Sequence, residues 1–345
     1  MSAVRQATAQ SAHTVRAWEL ERGAGIERLQ LATRALPDLG PNDVRVRIQA
    51  VSLNARDLDV AASGTGRIVP ASDGAGVIEA IGRDVTRWRI GDRVAASFYP
   101  HWIDGLPTAE RTVGSLGGAV DGVLAEAIVA HETALFAIPD HLDFVEAATL
   151  PCAALTAWHA LIETVPLRPG ATVLLLGTGG VSTWALTLAH AAGLRTIDTS
   201  SDDAKLARVR ALGADATINY RTLPQWSDEV LRLTDGGGAD LVVEIGGENT
   251  LGQSIASVAA GGTVAMVGGL SGGFGGRIEP FALIGGLKRL AGVLVGNRAM
   301  AERLVAFVAQ RGLRPVVDRV FAFDDAPAAF AHLATGRHFG KVAIG

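Results

Sequence analysis

Apolar and polar positions follow two different periods along this chain of 345 residues, and the change between them divides it. From residue 14 to about 140 the period is two. Asp43 to Val51 alternates polar and apolar side chains, as a strand with one buried face requires. Asp73 to Val94 reads as a hairpin-rich run, with glycines where turns need positive φ. Near Ile138-Pro139-Asp140 the period becomes helical, and from Ala171 strand and helix alternate. Strands are predicted at 172–177, 194–199, 215–219, 241–246, 263–267 and 291–296. A helix at 299–311 precedes a strand-like tail containing His338-Phe339-Gly340-Lys341. The pattern predicts an α/β chain, a small β-rich domain feeding a doubly wound parallel sheet.

The stretch Gly177-Thr178-Gly179-Gly180-Val181-Ser182-Thr183 carries the clearest chemistry. It follows Val173-Leu174-Leu175-Leu176, an apolar run suited to a strand buried on both faces. Behind it, Val181, Trp184, Ala185, Leu188 and Ala192 recur at helical spacing, and Gly193 ends the helix. A glycine turn between strand and helix lets backbone approach a pyrophosphate, which the helix N-terminus attracts. Ser182 stands where the fingerprint has its third glycine; it is small enough for close packing and could donate to phosphate. The alternative is a tight turn between two core elements.

Composition narrows the field. The net charge of −4 is spread without blocks, which argues against nucleic acid or an anionic membrane as main partner. No apolar run is read as a spanning helix and no signal-peptide core is visible, and residues 1–13 read as a loose extension. A single cysteine, Cys152, excludes an internal disulfide framework and fits a reducing, cytoplasmic setting. The histidines, His101, His141 and His159 among them, show no metal-ligand spacing.

The pieces GAGVIEAIG, IGDRV, LPCAALTAWHAL, the glycine turn and ALGADATINY together resemble the medium-chain dehydrogenase/reductase superfamily, and within it the zinc-free, quinone oxidoreductase-like branch. The resemblance covers residues 14–345. It implies a GroES-like catalytic domain from 14–140 and 298–345, and a Rossmann cofactor domain from 141–297. It also implies a nicotinamide cofactor between them and a homodimer joined through the last Rossmann strand, near 291–296. In zinc-bearing relatives, ligands come from positions matching Asn54, Ser72 of the Ser72-Asp73 pair, and Cys152. Only the cysteine remains, and 98–122 lacks the cysteines of a structural zinc lobe. No metal is therefore expected.

A reaction without metal favours an acceptor that disperses charge. Hydride addition to a quinone or α,β-unsaturated carbonyl spreads charge to a distant oxygen, where one or two donors worth roughly 3–4 kcal/mol each suffice. The resemblance points to the Asn54 amide as that donor, with an Asx turn as the alternative. Asp57 matches an acid that could orient Arg56 or Ser72, or could form a surface ion pair. Thr156 matches a residue touching the nicotinamide, or packs within a helix. Phe98, Tyr99 and Trp102 could line a ring pocket, or pack locally.

Cofactor choice is read at the second strand's tip. NAD-specific folds place an acid there, and this chain has Ser200 and Ser201, with Lys205 and Tyr220 nearby, which favours NADPH. Asp198 is the one acid that does not fit, and Ser201 is read as the N-cap of the following helix. Gly246, Gly247, Val267 and Gly268 close the fourth and fifth strands and could admit the nicotinamide half. Asn297, Arg298, Phe339 and Lys341 match positions bordering the cofactor in relatives. An enoyl-thioester reductase and a non-catalytic NADPH sensor remain alternative readings of the same features.

Overall fold

The computed structural model describes residues 13–275 and 278–345; the predicted N-terminal extension lies, but for His13, outside them. Strands β1 (Thr14–Glu21), β2 (Gln30–Ala35), β3 (Asp43–Leu53), β4 (Arg67–Ile68), β5 (Asp73–Ile81), β6 (Arg93–Ala96), β7 (Ala127–His131) and β8 (Leu135–Ala137) form the N-terminal part. Within β3, Val44 and Val46 are buried between more exposed neighbours, as the alternation requires. β5 and β6 pair antiparallel as the predicted hairpin does.

The second half carries β9 (Thr172–Leu176), β10 (Arg195–Ser200), β11 (Ala216–Asn219), β12 (Ala239–Glu244), β13 (Val258–Met266) and β14 (Arg289–Gly292). They form one six-stranded sheet in the order β11-β10-β9-β12-β13-β14, and every pair is parallel. That is the doubly wound order, with its switch point between β9 and β12. All five residues of β9 are buried, which is why the central strand reads as an unbroken apolar run. The last strand is shorter than the predicted 291–296. Pairing stops at Gly292, and the chain then turns so that Val295, at φ 34°, reaches the functional cleft.

The C-terminal strands β15 (Val317–Phe321) and β16 (Lys341–Ile344) return to the first sheet. β16 lies parallel to β15 and antiparallel to β3, in the order β15-β16-β3-β5-β6-β8. The last residues of the chain thus sit beside Leu53, near the start of helix Ala55–Ala62.

Between the sheets runs Phe144–Glu163, 20 residues long and apolar enough by composition to cross a membrane. The helical period after residue 140 predicts a helix here but not one of this apolar character, because Thr149, Pro151 and His159 interrupt the run. In the fold, 78% of its most apolar window is buried, the burial of a core helix. Ala147, Ala148, Ala153, Ala154, Ala157 and Ala160 are in one core cluster with Ala75 and Ala95 of the first sheet and Val173, Leu175 and Leu241 of the second. The helix Arg298–Arg311 adds Ala301, Leu304 and Val308 to that cluster.

Ala157→Leu adds three carbons where no void is available, and overpacking costs typically about 1–3 kcal/mol. Because the helix is shared, both halves are expected to lose stability together. Denaturant unfolding followed by tryptophan fluorescence and by far-UV dichroism should give one coincident transition at a lower midpoint. A shift confined to one probe would show that the two sheets do not share this core.

Candidate functional site

Three chain segments far apart in sequence meet at the ends of β3, β5 and β16. Leu53 ends β3 opposite Val342, and Asp73 begins β5 opposite Ser52. Asn54 then caps helix Ala55–Ala62, its backbone N–H donating to Asp57 Oδ2 at 2.8 Å. This leaves the Asn54 side chain pointing to its neighbours. Its Oδ1 accepts from Lys341 Nζ at 2.5 Å, and its Nδ2 side faces Ser72 Oγ in a long 3.5 Å contact and the Asp73 carboxylate. Lys341 Nζ also donates to the Leu53 carbonyl at 2.7 Å and lies 3.9 Å from Asp73 Oδ2. Ser72 Oγ donates to Asp73 Oδ1 at 2.6 Å, and the Cys152 N–H donates to Asp73 Oδ2 at 3.3 Å.

This cluster is dry. Asp57, Ser72 and Asp73 are fully buried and Lys341 is 3% exposed. Burial raises the Asp73 carboxyl against the pull of Lys341, and raises Asp57 to about 6. Asp57 is therefore no surface ion pair, nor does it hydrogen-bond Arg56 or Ser72 as the sequence reading allowed. Its Oδ1 has no partner and its Oδ2 serves Asn54. Burial also pushes the Cys152 thiol up to about 12, an inert side chain rather than a nucleophile.

One side of the cluster is aromatic. Phe98, Tyr99 and Trp102 are buried together, with Cys152 and Val295 packed against them. Arg56 stacks its guanidinium 4.7 Å from the Phe98 ring centroid and donates to the Leu116 carbonyl at 2.8 Å, so it braces the loop. The other side of this loop, Pro100, His101 and Ile103, lines a separate cavity of about 570 Å³ that none of the predicted site residues borders. Thr156 lies four residues beyond Cys152 on the shared helix and is buried. Ala71 and Val295 flank the site at φ 66° and 34°, a conformation costly for side chains bearing Cβ. Neither strained residue, nor the reach of Lys341 to Asn54, was read from the sequence.

On the cofactor side the glycine turn opens helix Gly180–Ala191 with no side-chain cap. A Cβ on Gly179 would meet nothing within 4 Å, so backbone faces open space there, as a pyrophosphate would need. Gly180 has a different reason: a Cβ would come 2.4 Å from Lys341 Cδ. Thr178 gives its carbonyl to the Gly340 N–H at 2.9 Å. Val181 is half-buried, and Ser182 is buried with its hydroxyl donating to the Leu176 carbonyl at 2.6 Å. That bond ties helix to strand, so Ser182 Oγ does not face a phosphate.

Ser200 is buried at the tip of β10, and Tyr220, 42% exposed, bonds its N–H to the Ser200 carbonyl at 3.1 Å. Ser201 is not the N-cap. Asp202 takes that role, accepting the Lys205 N–H at 3.1 Å, because Ser200 Oγ already accepts the Asp202 N–H. Lys205 turns its ammonium to the tail, donating to the carbonyls of Gly336 and His338. Asp198 pairs with Leu175 and Thr217 inside the sheet at 1% exposure, and burial raises its carboxyl well above the usual range. It is thus away from the strand's open tip.

Glu244, fully buried, accepts the N–H groups of Gly246 and Gly247 at 2.6 and 3.0 Å and bonds the hydroxyls of Thr250 and Ser254, shaping that turn. Val267 and Gly268 follow, both N–H groups on the Glu244 carbonyl. Asn297 caps helix Arg298–Arg311 and donates to the Gly105 carbonyl, and Arg298 donates to the Thr133 carbonyl. Both side chains hold the aromatic loop's surroundings in place. Phe339 is buried under Arg208, whose guanidinium lies 3.9 Å from its ring centroid. Among the described residues no three His, Cys, Asp or Glu side chains converge as a metal site.

Comparison with known proteins agrees with this geometry. Residues 40–140 match a family model described as the alcohol dehydrogenase GroES-like domain, and residues 180–310 match one described as zinc-binding dehydrogenase. A zinc-type alcohol dehydrogenase-like protein of Schizosaccharomyces pombe is 40% identical over 93% of this chain and 96% of its own length. A quinone oxidoreductase of Pseudomonas aeruginosa is 31% identical over 88% and 91%. A solved structure of an NAD-dependent alcohol dehydrogenase superposes with a TM-score of 0.87 at 34% identity, covering 95% of this chain and 99% of that one.

Asp57 offers a test of the site's dryness. Its carboxyl titrates near 6 in the folded chain and near 3.9 unfolded, so the native state holds the extra proton. Its contribution is complete below about pH 4 and lost as pH rises toward 6. Asp57→Asn should stabilise at pH 7.5 by at most roughly 2–3 kcal/mol and change little at pH 4. Equal effects at both pH values in chemical unfolding would rule out the raised carboxyl.

Proposed function

This chain belongs to the medium-chain dehydrogenase/reductase superfamily of oxidoreductases, and on that footing we propose that it reduces a quinone or α,β-unsaturated carbonyl with NADPH and without metal. The observation that carries the reading is Asn54. With Oδ1 taken by Lys341, Nδ2 is the donor end of the amide, and of its two N–H groups one can serve an acceptor oxygen while the other faces Ser72 and Asp73. The group at Asn54 is a neutral amide and Ser72 is a hydroxyl committed to Asp73, which leaves Cys152 alone of the three positions with a ligand side chain. With an ammonium among them, these groups do not fit a zinc ligand set, which needs thiolate, imidazole or carboxylate.

The nicotinamide, when bound, supplies the hydride. The chain's own residues do the rest. The turn at Gly177-Thr178-Gly179 offers backbone to the pyrophosphate, and the N-terminus of helix Gly180–Ala191 adds its dipole. Thr156 and the turns at Gly246–Gly247 and Val267–Gly268 border the nicotinamide end. Phe98, Tyr99 and Trp102, packed on one another, exclude water beside Cys152. As hydride arrives at the acceptor carbon, negative charge grows on the conjugated oxygen. The Asn54 amide donates to it in a dry setting, where such a bond is strongest.

NADPH is favoured over NADH by the neutral Ser200 tip beside Tyr220 and by the burial of Asp198, which leaves no acid of β10 to hold a ribose hydroxyl. Lys205 does not add to this preference, its ammonium being committed to the Gly336 and His338 carbonyls of the tail. The same reading makes the chain a cytoplasmic homodimer. Phe274, Phe281, Ile284 and Leu287 are 66–84% exposed on the sheet's β14 side, an apolar surface suited to a second copy.

Purified protein with NADPH should reduce 1,4-benzoquinone or 2-cyclohexenone, with and without chelator, and Asn54→Ala should cut kcat by about 100-fold. Activity on simple alcohols alone, lost on chelation, would reject the proposal, as would turnover restricted to CoA esters. Binding calorimetry should show NADPH held at least about tenfold tighter than NADH; the reverse order would assign NAD. Sedimentation should show a dimer that Phe281→Asp combined with Ile284→Asp dissociates. A monomeric wild type would remove the homodimer from the reading.

A further inference from the structure

We infer that Lys341 is a positioning residue for the reaction proposed above, its buried ammonium fixing which end of the Asn54 amide faces the acceptor. The inference rests on the reading that Asn54 donates to the acceptor oxygen, and adds to it the group that makes Asn54 competent.

An asparagine amide carries an acceptor on one arm and donors on the other, and rotation by half a turn about its last bond exchanges them. For an oxyanion donor this is decisive, because the wrong arm would present a carbonyl to a developing negative charge. Lys341 removes the ambiguity chemically. An ammonium has donors only, so the atom 2.5 Å from Nζ must be the amide oxygen. The flipped amide would set NH2 against NH3+, two donors face to face.

The ammonium is itself held. At 3% exposure it cannot turn to solvent, and the Leu53 carbonyl at 2.7 Å and the Asp73 carboxylate at 3.9 Å complete its surroundings. Its stem is fixed by the fold: Gly340 bonds to Thr178, and the side chain passes over Gly180, where a Cβ would collide with Cδ at 2.4 Å. Lys341 therefore runs along the cofactor turn and ends at the acceptor site. The bare Gly180 is the space its stem needs.

The test is a double-mutant cycle on the full chain with NADPH and 2-cyclohexenone. Lys341→Met keeps the length and removes the charge. It should lower kcat by about tenfold or more, toward the level of Asn54→Ala, while the NADPH Kd, measured without acceptor, changes by no more than about threefold. Adding Lys341→Met to Asn54→Ala should cost less than about twofold further, since the amide it orients is gone. Independent, multiplying losses would overturn the inference. So would unchanged kcat, or a loss seen wholly in NADPH Kd, which would make Lys341 a phosphate ligand. Should Lys341→Met fail to fold because Asp73 is left unpaired, Lys341→Met with Asp73→Asn removes both charges and carries the same expectations. If Asn54→Ala keeps full turnover, the reading of Asn54 falls and takes the inference with it. If Asn54→Ala is impaired and Lys341→Met is not, only the role of Lys341 falls.

Discussion

Where the C-terminal tail crosses the glycine turn, two stretches of backbone touch with no side chain between them. Gly340 donates its N–H to Thr178, and a Cβ on Gly340 would lie 2.3 Å from the Val316 carbonyl. The contact needs φ +85° at Gly340, a conformation open to glycine at little cost. From it follow the register of β16 against β3, the course of Lys341 over Gly180, and the placing of the ammonium at Asn54. The chain's last six residues thus connect the turn that faces a dinucleotide to the amide that faces an acceptor.

The site is polar but dry, and the two properties depend on each other. Asp57, Ser72, Asp73 and Lys341 are all buried, and each polar group is held mainly by another of the set or by backbone. Apart from Asp57 Oδ1, which has no partner, the network is satisfied and so specifies geometry, because a rearrangement would leave a further buried donor or acceptor alone. Strain at Ala71 and Val295 belongs to the same economy of space. These residues sit on the loops that aim Ser72 and the aromatic wall, where packing overrules backbone preference.

The fold was largely legible because its signals are local. Five buried residues in β9 followed by glycines, and the repeated strand–helix periods behind them, can be read within short windows. Asn54 was singled out through resemblance alone. What joins it to Lys341 was not legible, since the two lie 287 positions apart and nothing in either neighbourhood encodes the contact. Asp57, Ser182 and Asp198 share one reason for misreading. Each is polar, each was considered for a role at the surface or a ligand, and each is buried at 2% exposure or less. The helix between the sheets was legible from the period after residue 140, but its apolar character was not, being broken by Thr149, Pro151 and His159.

The shared helix bears on how the cleft can breathe. It presents alanines along its length to both sheets, Ala147, Ala148, Ala153, Ala154, Ala157 and Ala160 within one continuous core. Leu150, Leu155, Trp158 and Leu161 of the same helix interlock in that core, and opening like a book would tear it apart and expose it to water. Motion admitting or releasing a nucleotide is thereby left to the loops and turns outside this core rather than to a parting of the two sheets.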